Sequence, residues 1–114
     1  MRRGAIHWAD AEKRRPCVIL SPERRNALAS DVIVVPFSTS TRAMSWHVRF
    51  AKGEAGLPAA CFAKCEQVST IPKSSIHGEP IGEVSAAKLR EIDAALMSAL
   101  GMWPAAGAGW PGEH

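Results

Sequence analysis

The sequence predicts a mainly β protein, a small barrel of SH3-like type followed by one C-terminal α-helix. Three observations predict it. The first two-thirds of the chain divides into short apolar or alternating runs bounded by Gly, Pro, Ser and Asp, the pattern of strands and turns. One later segment carries a sustained helical period. The 114 residues make one domain, large enough to bury a core without metal or disulfides. Closure into a barrel removes exposed sheet edges, and five short strands suffice for it.

Taken in order, Ala5-Ile6-His7-Trp8-Ala9 follows Gly4 as the first strand. Pro16-Cys17-Val18-Ile19-Leu20-Ser21 is nearly all apolar and reads as a buried second strand. Ser21 as N-cap and Pro22 at the first helical position open one short helical turn. After Asp31, the β-branched run Val32-Ile33-Val34-Val35-Pro36-Phe37 is the third strand. Pro36 has no N–H to give, so the strand is expected to end or bulge there. Trp46-His47-Val48-Arg49-Phe50 alternates, turning Trp46, Val48 and Phe50 inward and His47 and Arg49 outward. Ala60 to Val68 reads as a fifth strand, with Cys61, Ala63 and Cys65 on one face and Lys64 and Glu66 on the other. Thr70 to Gly78 reads as a turn or a very short helix.

The long helix is capped by Ser85 and carries Leu89, Ile92, Leu96 and Leu100 along one stripe. Gly101 stands at the C′ position and Pro104 blocks continuation. Residues 103–114, rich in Gly, Ala and Pro and without period, are expected to form a flexible tail. The expected organisation is a barrel-and-helix domain over 1–102 and that tail.

Composition excludes other classes. Hydrophobic residues at 46% and charged residues at 22% are those of a folded domain, not a disordered chain. No apolar run reaches the roughly 20 residues of a membrane span. Met1-Arg2-Arg3 leads into no apolar export segment, so the expectation is a cytoplasmic protein with reduced thiols. Cys17, Cys61 and Cys65 cannot all pair, and the four histidines are too scattered to complete a tetrahedral zinc set. Packing thiols, no metal and no cofactor are expected. Charge is uneven: residues 1–52 carry ten Lys/Arg against four Asp/Glu, and residues 53–114 carry four against seven. Such a basic half fits either a polyanion-facing surface or solvated loop charges.

Five segments stand in a telling order: Arg3-Gly4-Ala5-Ile6-His7-Trp8, Arg15-Pro16-Cys17-Val18-Ile19-Leu20-Ser21-Pro22, Val34-Val35-Pro36-Phe37-Ser38-Thr39-Ser40, Gly56-Leu57-Pro58 and Cys65-Glu66-Gln67-Val68-Ser69-Thr70-Ile71. From residue 2 to about residue 102, their order and spacing resembles the MazF/PemK family of toxin endoribonucleases from type II toxin–antitoxin systems. The resemblance implies a CcdB/MazF-type barrel with a C-terminal helix, working as a homodimer. It implies sequence-specific cutting of single-stranded RNA without a metal. The substrate would be mRNA, with tRNA or rRNA as further candidates. It implies neutralisation by a small antitoxin whose disordered segment covers the RNA site. DNA would be met only through that antitoxin, and no membrane is involved.

Residue by residue, Arg15 matches the family's catalytic arginine of an Arg-Pro motif. Ser38 stands where the family usually has threonine, and Thr39 takes over if the register slips. Glu66 matches an acidic position that acts as base in some members, and Lys64 falls where those members have arginine. Asp10 to Arg14 makes a shorter loop than in many relatives. It lacks the histidine some of them use there, and His7 does not replace it.

The chemistry suits these types. Cleavage through the RNA's own 2′-OH needs a proton acceptor, positive charge on the phosphorane and a proton for the leaving 5′-oxygen. An arginine fork matches two phosphate oxygens. Ser38 adds a hydrogen bond, Glu66 is the acceptor, and Lys64 either holds Glu66 ionised or binds phosphate. Lys64, Thr39, Arg14, Gln67 and Arg42 make the expected RNA-binding set. Plainer roles stand beside these: a solvated loop position for Arg15, a strand-end hydroxyl for Ser38, an ion pair of Lys64 with Glu66, a buried amide for Gln67 and core packing for Trp46. Two rival functions fit the same barrel, a non-enzymatic CcdB-like toxin that grips DNA gyrase and a catalytically silent RNA-binding relative.

Overall fold

The computed structural model describes residues 1–40 and 42–102. The expected tail from Trp103 lies outside those residues. The fold is the expected mainly β, SH3-like type with a C-terminal helix, but it uses seven strands rather than five. These are β1 (Ala5–Ala11), β2 (Lys13–Ile19), β3 (Asp31–Ser38), β4 (His47–Phe50), β5 (Cys61–Lys64), β6 (Ser69–Pro72) and β7 (Ile76–Glu83). Two helices, α1 (Glu23–Leu28) and α2 (Ala86–Ala99), accompany them. The strands run β4-β5-β3-β2-β1-β7 across the sheet, and β6 pairs with β3.

β1 and β2 form a tighter hairpin than expected. Their ladder runs from Ile6↔Val18 to Ala11↔Lys13, leaving Glu12 alone at the turn with φ 72°. Asp10 to Arg14 is therefore mostly strand, and Arg15 sits on a ladder instead of in a solvated loop. β3 does not end at Pro36. It pairs with β6 over Asp31–Val34 and with β5 at Phe37 and Ser38, so Pro36 falls in the gap between two partners where its missing N–H costs no bond.

The fifth expected strand stops at Lys64. Cys65–Gln67 turns as a 3-10 helix, and Ser69–Pro72 returns as β6. The expected turn over residues 70–78 is instead the end of β6, a 3-10 turn at Lys73–Ser75 and the start of β7. The ladder does not close, because β4 and β7 lie at its two ends. What seals the gap is a backbone contact between the 3-10 turn Glu54–Gly56 and β7. A Cβ on Gly82 would stand 1.8 Å from the Ala55 carbonyl oxygen, and one on Gly56 2.1 Å from that of Ile81. Gly56 also holds φ +83°, so both its conformation and its neighbours require glycine.

Alternation along β2 and β3 feeds two apolar clusters on opposite sheet faces. Val18, Leu20, Val35 and Phe37 join Val48, Phe50, Leu57 and Ala63 in the larger one, which α2 covers with Ile92 and Ala95. Cys17, Ile19, Val32 and Val34 join Ala9 and Ile71 in the smaller. α2 follows its sequence signals. The Ser85 hydroxyl accepts from the Lys88 N–H at 3.1 Å. At the other end Gly101 N–H donates to Ser98 O and Met102 N–H to Met97 O, the paired bonds of a Schellman stop. α1 departs from them. Pro22 is its N-cap, and Ser21 instead donates to Asn26 Oδ1 and accepts from the Ile33 N–H, tying the turn to β3.

Candidate active site

Strict alternation places Arg15 on the face of Cys17 and Ile19, and Ser38 on the face of Val32 and Val34, the same side of the sheet. The β2–β3 register ends at Cys17↔Pro36, and Arg15 and Ser38 each lie two residues beyond that last pair. Ser38 pairs on its other side with Phe62, and Phe62 pairs with Arg49. The adjoining row on β5 and β4 is Lys64↔His47. Arg15 and Lys64 thus lie on strands two spacings of about 4.8 Å apart, with Lys64 a further row along its strand.

At the β4–β5 end lies an open pocket of ≈ 430 Å³, with Arg42, Trp46, His47, Lys64 and Glu66 on one side and Ser98 of α2 on the other. Of the expected site residues, this pocket gathers Arg42, Lys64 and Glu66. Ser38, Thr39, Arg14, Arg15 and Gln67 lie outside it. Thr39 is exposed, and the Ser38 hydroxyl accepts from the Ser40 N–H at 3.2 Å. Arg14 lies over the Trp8 ring, 5.7 Å from its centroid. Gln67 is exposed on its 3-10 turn, so it is not a buried amide. Trp46 precedes β4 and lines the pocket instead of the core.

The Glu66 carboxylate has a partner the sequence did not announce. Glu66 leaves the strand, so it does not share a strand face with Lys64, and no ion pair joins the two among the described residues. Its oxygens lie 3.1 and 3.2 Å from Nε2 of His47. His47 was expected to point outward, and it does leave the barrel core to Val48 and Phe50. Yet its side chain is only 3 % exposed, packed beside Trp46 and Phe62. The signal that could have found it is a lone histidine on a strand paired to the Lys64-Cys65-Glu66 segment.

Arg15 shows the opposite state. Its Nε is buried with no hydrogen-bond partner among the described residues, so the guanidinium has bonding capacity to spare. Its charge reaches the neighbouring Cys17 thiol, whose pKa burial nevertheless raises to about 12. Burial raises Cys61 to about 11 and Cys65 to about 12, with Glu54 and Glu66 adding to the respective shifts. These thiols are protonated packing groups at neutral pH, as expected. No cluster of three or more His, Cys, Asp or Glu side chains suited to a metal occurs among the described residues.

The sheet, the C-terminal helix and a pocket that gathers Arg42, Lys64 and the His47-bound Glu66 define a small SH3-like β protein with charges of both signs beside one cleft. Residues 2–100 match the family described as PemK-like, MazF-like toxin of type II toxin-antitoxin system, and the chain belongs to that family. It is 33% identical over 117 residues to Endoribonuclease MazF9 of Mycobacterium tuberculosis, covering 90% of this chain and 98% of the relative. It is 36% identical over 109 residues to the probable endoribonuclease MazF of Mycolicibacterium smegmatis, with 90% and 98% covered. Among solved structures, the Mycobacterium tuberculosis toxin MazF-mt6 superposes with a TM-score of 0.81 at 27% identity, covering 88% of this chain and 99% of that one. A mycobacterial endoribonuclease in complex with its cognate antitoxin superposes at 0.78 with 28% identity, covering 91% and 99%.

Proposed function

We propose that this protein is the toxin of a type II toxin–antitoxin pair, a sequence-specific endoribonuclease that cuts single-stranded RNA without a metal. The observation that carries the chemistry is Arg15 with a buried, unsatisfied Nε and Ser38, each just beyond the β2–β3 ladder, with Lys64 at the end of β5 and the His47-held Glu66 carboxylate on the turn after it. The 2′-oxygen attacks phosphorus while Glu66 takes its proton. Arg15 and Ser38 bond the non-bridging oxygens as charge grows on them, and Lys64 adds positive field. The P–O5′ bond then breaks, and O5′ takes a proton from water. The products are a 2′,3′-cyclic phosphate and a free 5′-OH.

Messenger RNA is the proposed substrate, and a small antitoxin the proposed partner, as in the antitoxin complexes of its structural relatives. Contact with DNA runs through the antitoxin. We place the protein in the cytoplasm as a homodimer with one symmetric interface beside the groove. A gyrase-gripping role has no use for an arginine and a carboxylate set out in this way. The test is incubation of pure protein with mixed RNA in EDTA, followed by analysis of the new ends. Cyclic phosphates and 5′-hydroxyls support the reading. A strict magnesium requirement, or cutting of DNA or of 2′-methoxy RNA at the same site, overturns it.

A further inference from the structure

We propose that His47 is the positioning residue of the carboxylate: fixed in one tautomer by a backbone amide, it aims Glu66 into the pocket. Both ring nitrogens are engaged. Nδ1 accepts from the Met44 N–H at 3.2 Å, and Nε2 faces both oxygens of Glu66. An amide N–H cannot accept, so Nδ1 is bare and the proton sits on Nε2, from where it donates to the carboxylate. The ring is wedged by Trp46, edge-on at 6.5 Å, and by Phe62 at 6.0 Å.

The lock answers a need set by the backbone. Glu66 stands on a three-residue 3-10 turn with no ladder to hold it, and its side chain is 36 % exposed. A carboxylate so placed samples several rotamers unless another group selects one. One N–H shared by both oxygens selects one, and it leaves the outer lone pairs of each oxygen open to the pocket. The other charged groups lining the pocket are Lys64 and Arg42, both cations, so His47 brings order rather than more charge. His47 keeps both nitrogens committed and is nearly covered, so it acts through Glu66 and does not reach the RNA.

This inference rests on Glu66 as proton acceptor, and the experiment separates the two ideas. Long-range proton–nitrogen spectra of the whole protein should show His47 with the proton on Nε2. That proton's signal should move when Glu66→Gln is introduced. A proton on Nδ1, or no response to Glu66→Gln, overturns the lock whether or not the protein cuts RNA. The second arm is a double-mutant cycle in single-turnover cleavage. His47→Asn keeps an acceptor for Met44 but loses the donor to Glu66, and His47→Gln keeps a donor near Nε2. His47→Asn should slow cleavage about ten- to hundredfold, the worth of a hydrogen bond to a charged group, with RNA affinity unchanged. His47→Gln should recover most of the rate. In a Glu66→Gln background, His47→Asn should change the rate less than about twofold, because there is no carboxylate left to aim. Equal losses in both backgrounds would make His47 a merely structural residue and sink the proposal. Wild-type protein that cuts no RNA would overturn the ribonuclease reading, while the spectra still decide the lock.

Discussion

Arg15 and Glu66 stand at the two ends of the candidate site and are fixed by opposite means. Arg15 rides on β2, whose ladder to β1 runs through Ala9↔Arg15, so the backbone decides where it stands. Its Nε is left unbonded. Glu66 sits on a short 3-10 turn, and a second side chain supplies the order that the backbone does not. The contrast teaches that a regular strand can offer a charged group with its bonding capacity unspent. An irregular turn must use part of that capacity to hold the group still.

The largest effect should come from the end that the backbone fixes. Arg15→Ala should raise the barrier to cleavage by about 3–4 kcal/mol, roughly a hundred- to a thousandfold in single-turnover rate. RNA affinity should fall only modestly, and the melting temperature should hold. Arg15→Lys should rescue poorly, because a point charge cannot make the two-pronged contact. Parallel losses in rate and affinity would reduce Arg15 to an attraction residue and erase the comparison. At the other end, Glu66→Gln should cost about a hundredfold or more in single-turnover rate, within the range for a lost general base. A rate unchanged by the substitution would remove Glu66 from proton transfer.

A stability test probes the seam that keeps both ends on one face. Gly82→Ala should destabilise the fold by about 1–3 kcal/mol in urea unfolding, since its Cβ meets backbone rather than a movable side chain. Unchanged stability would mean that the barrel gap is not sealed there.

The buried thiols give a smaller readout at each end. Cys17 is raised to about 12 against the Arg15 cation, and Cys65 to about 12 with help from the Glu66 carboxylate. An unfolded thiol titrates near 9.0, so the folded state holds these protons more tightly. The resulting stability is complete below pH 9 and is lost as pH rises from there toward 12. Urea titrations across that window should show the fall, and Cys17→Ala should remove its share of the slope. Stability that stays flat from pH 9 to 12 would contradict the burial. The smallest effect belongs to truncation after Met102. The Schellman stop already closes α2, so melting should shift by no more than about 0.5 kcal/mol in stability, and a collapse of the circular dichroism signal would show otherwise.

How much of this was legible depended on whether local pattern and tertiary surroundings agreed. α2 was readable from cap to cap, because Ser85, the leucine stripe and Gly101 all state the same element. The candidates Arg15, Ser38 and Glu66 came from motif order, which carries no information on what holds them. β7 was missed because Ile76-His77-Gly78-Glu79-Pro80-Ile81-Gly82-Glu83 lies at the sheet's end, where Ile76 and Ile81 are only partly buried, against different clusters, and no alternation is imposed. The turn at Glu66 was misread because Cys61, Ala63 and Cys65 stay buried straight through the change from strand to 3-10 helix. His47 was hidden by a correct inference. Alternation rightly turned it away from the core, but the residues of the pocket wall then covered it.

One pairing sets the timetable of the molecule's birth. β1 finds one of its two partners in β7, far along the chain, with Ala5 opposite Glu83, and the Val84 N–H closes onto the Gly4 carbonyl. At synthesis rates of about 5–20 residues per second, the intervening chain takes roughly 4–15 s to emerge. Until then the first strand has an open edge, and a chain cut short before β7 lacks the strand that the Glu54–Gly56 turn closes onto.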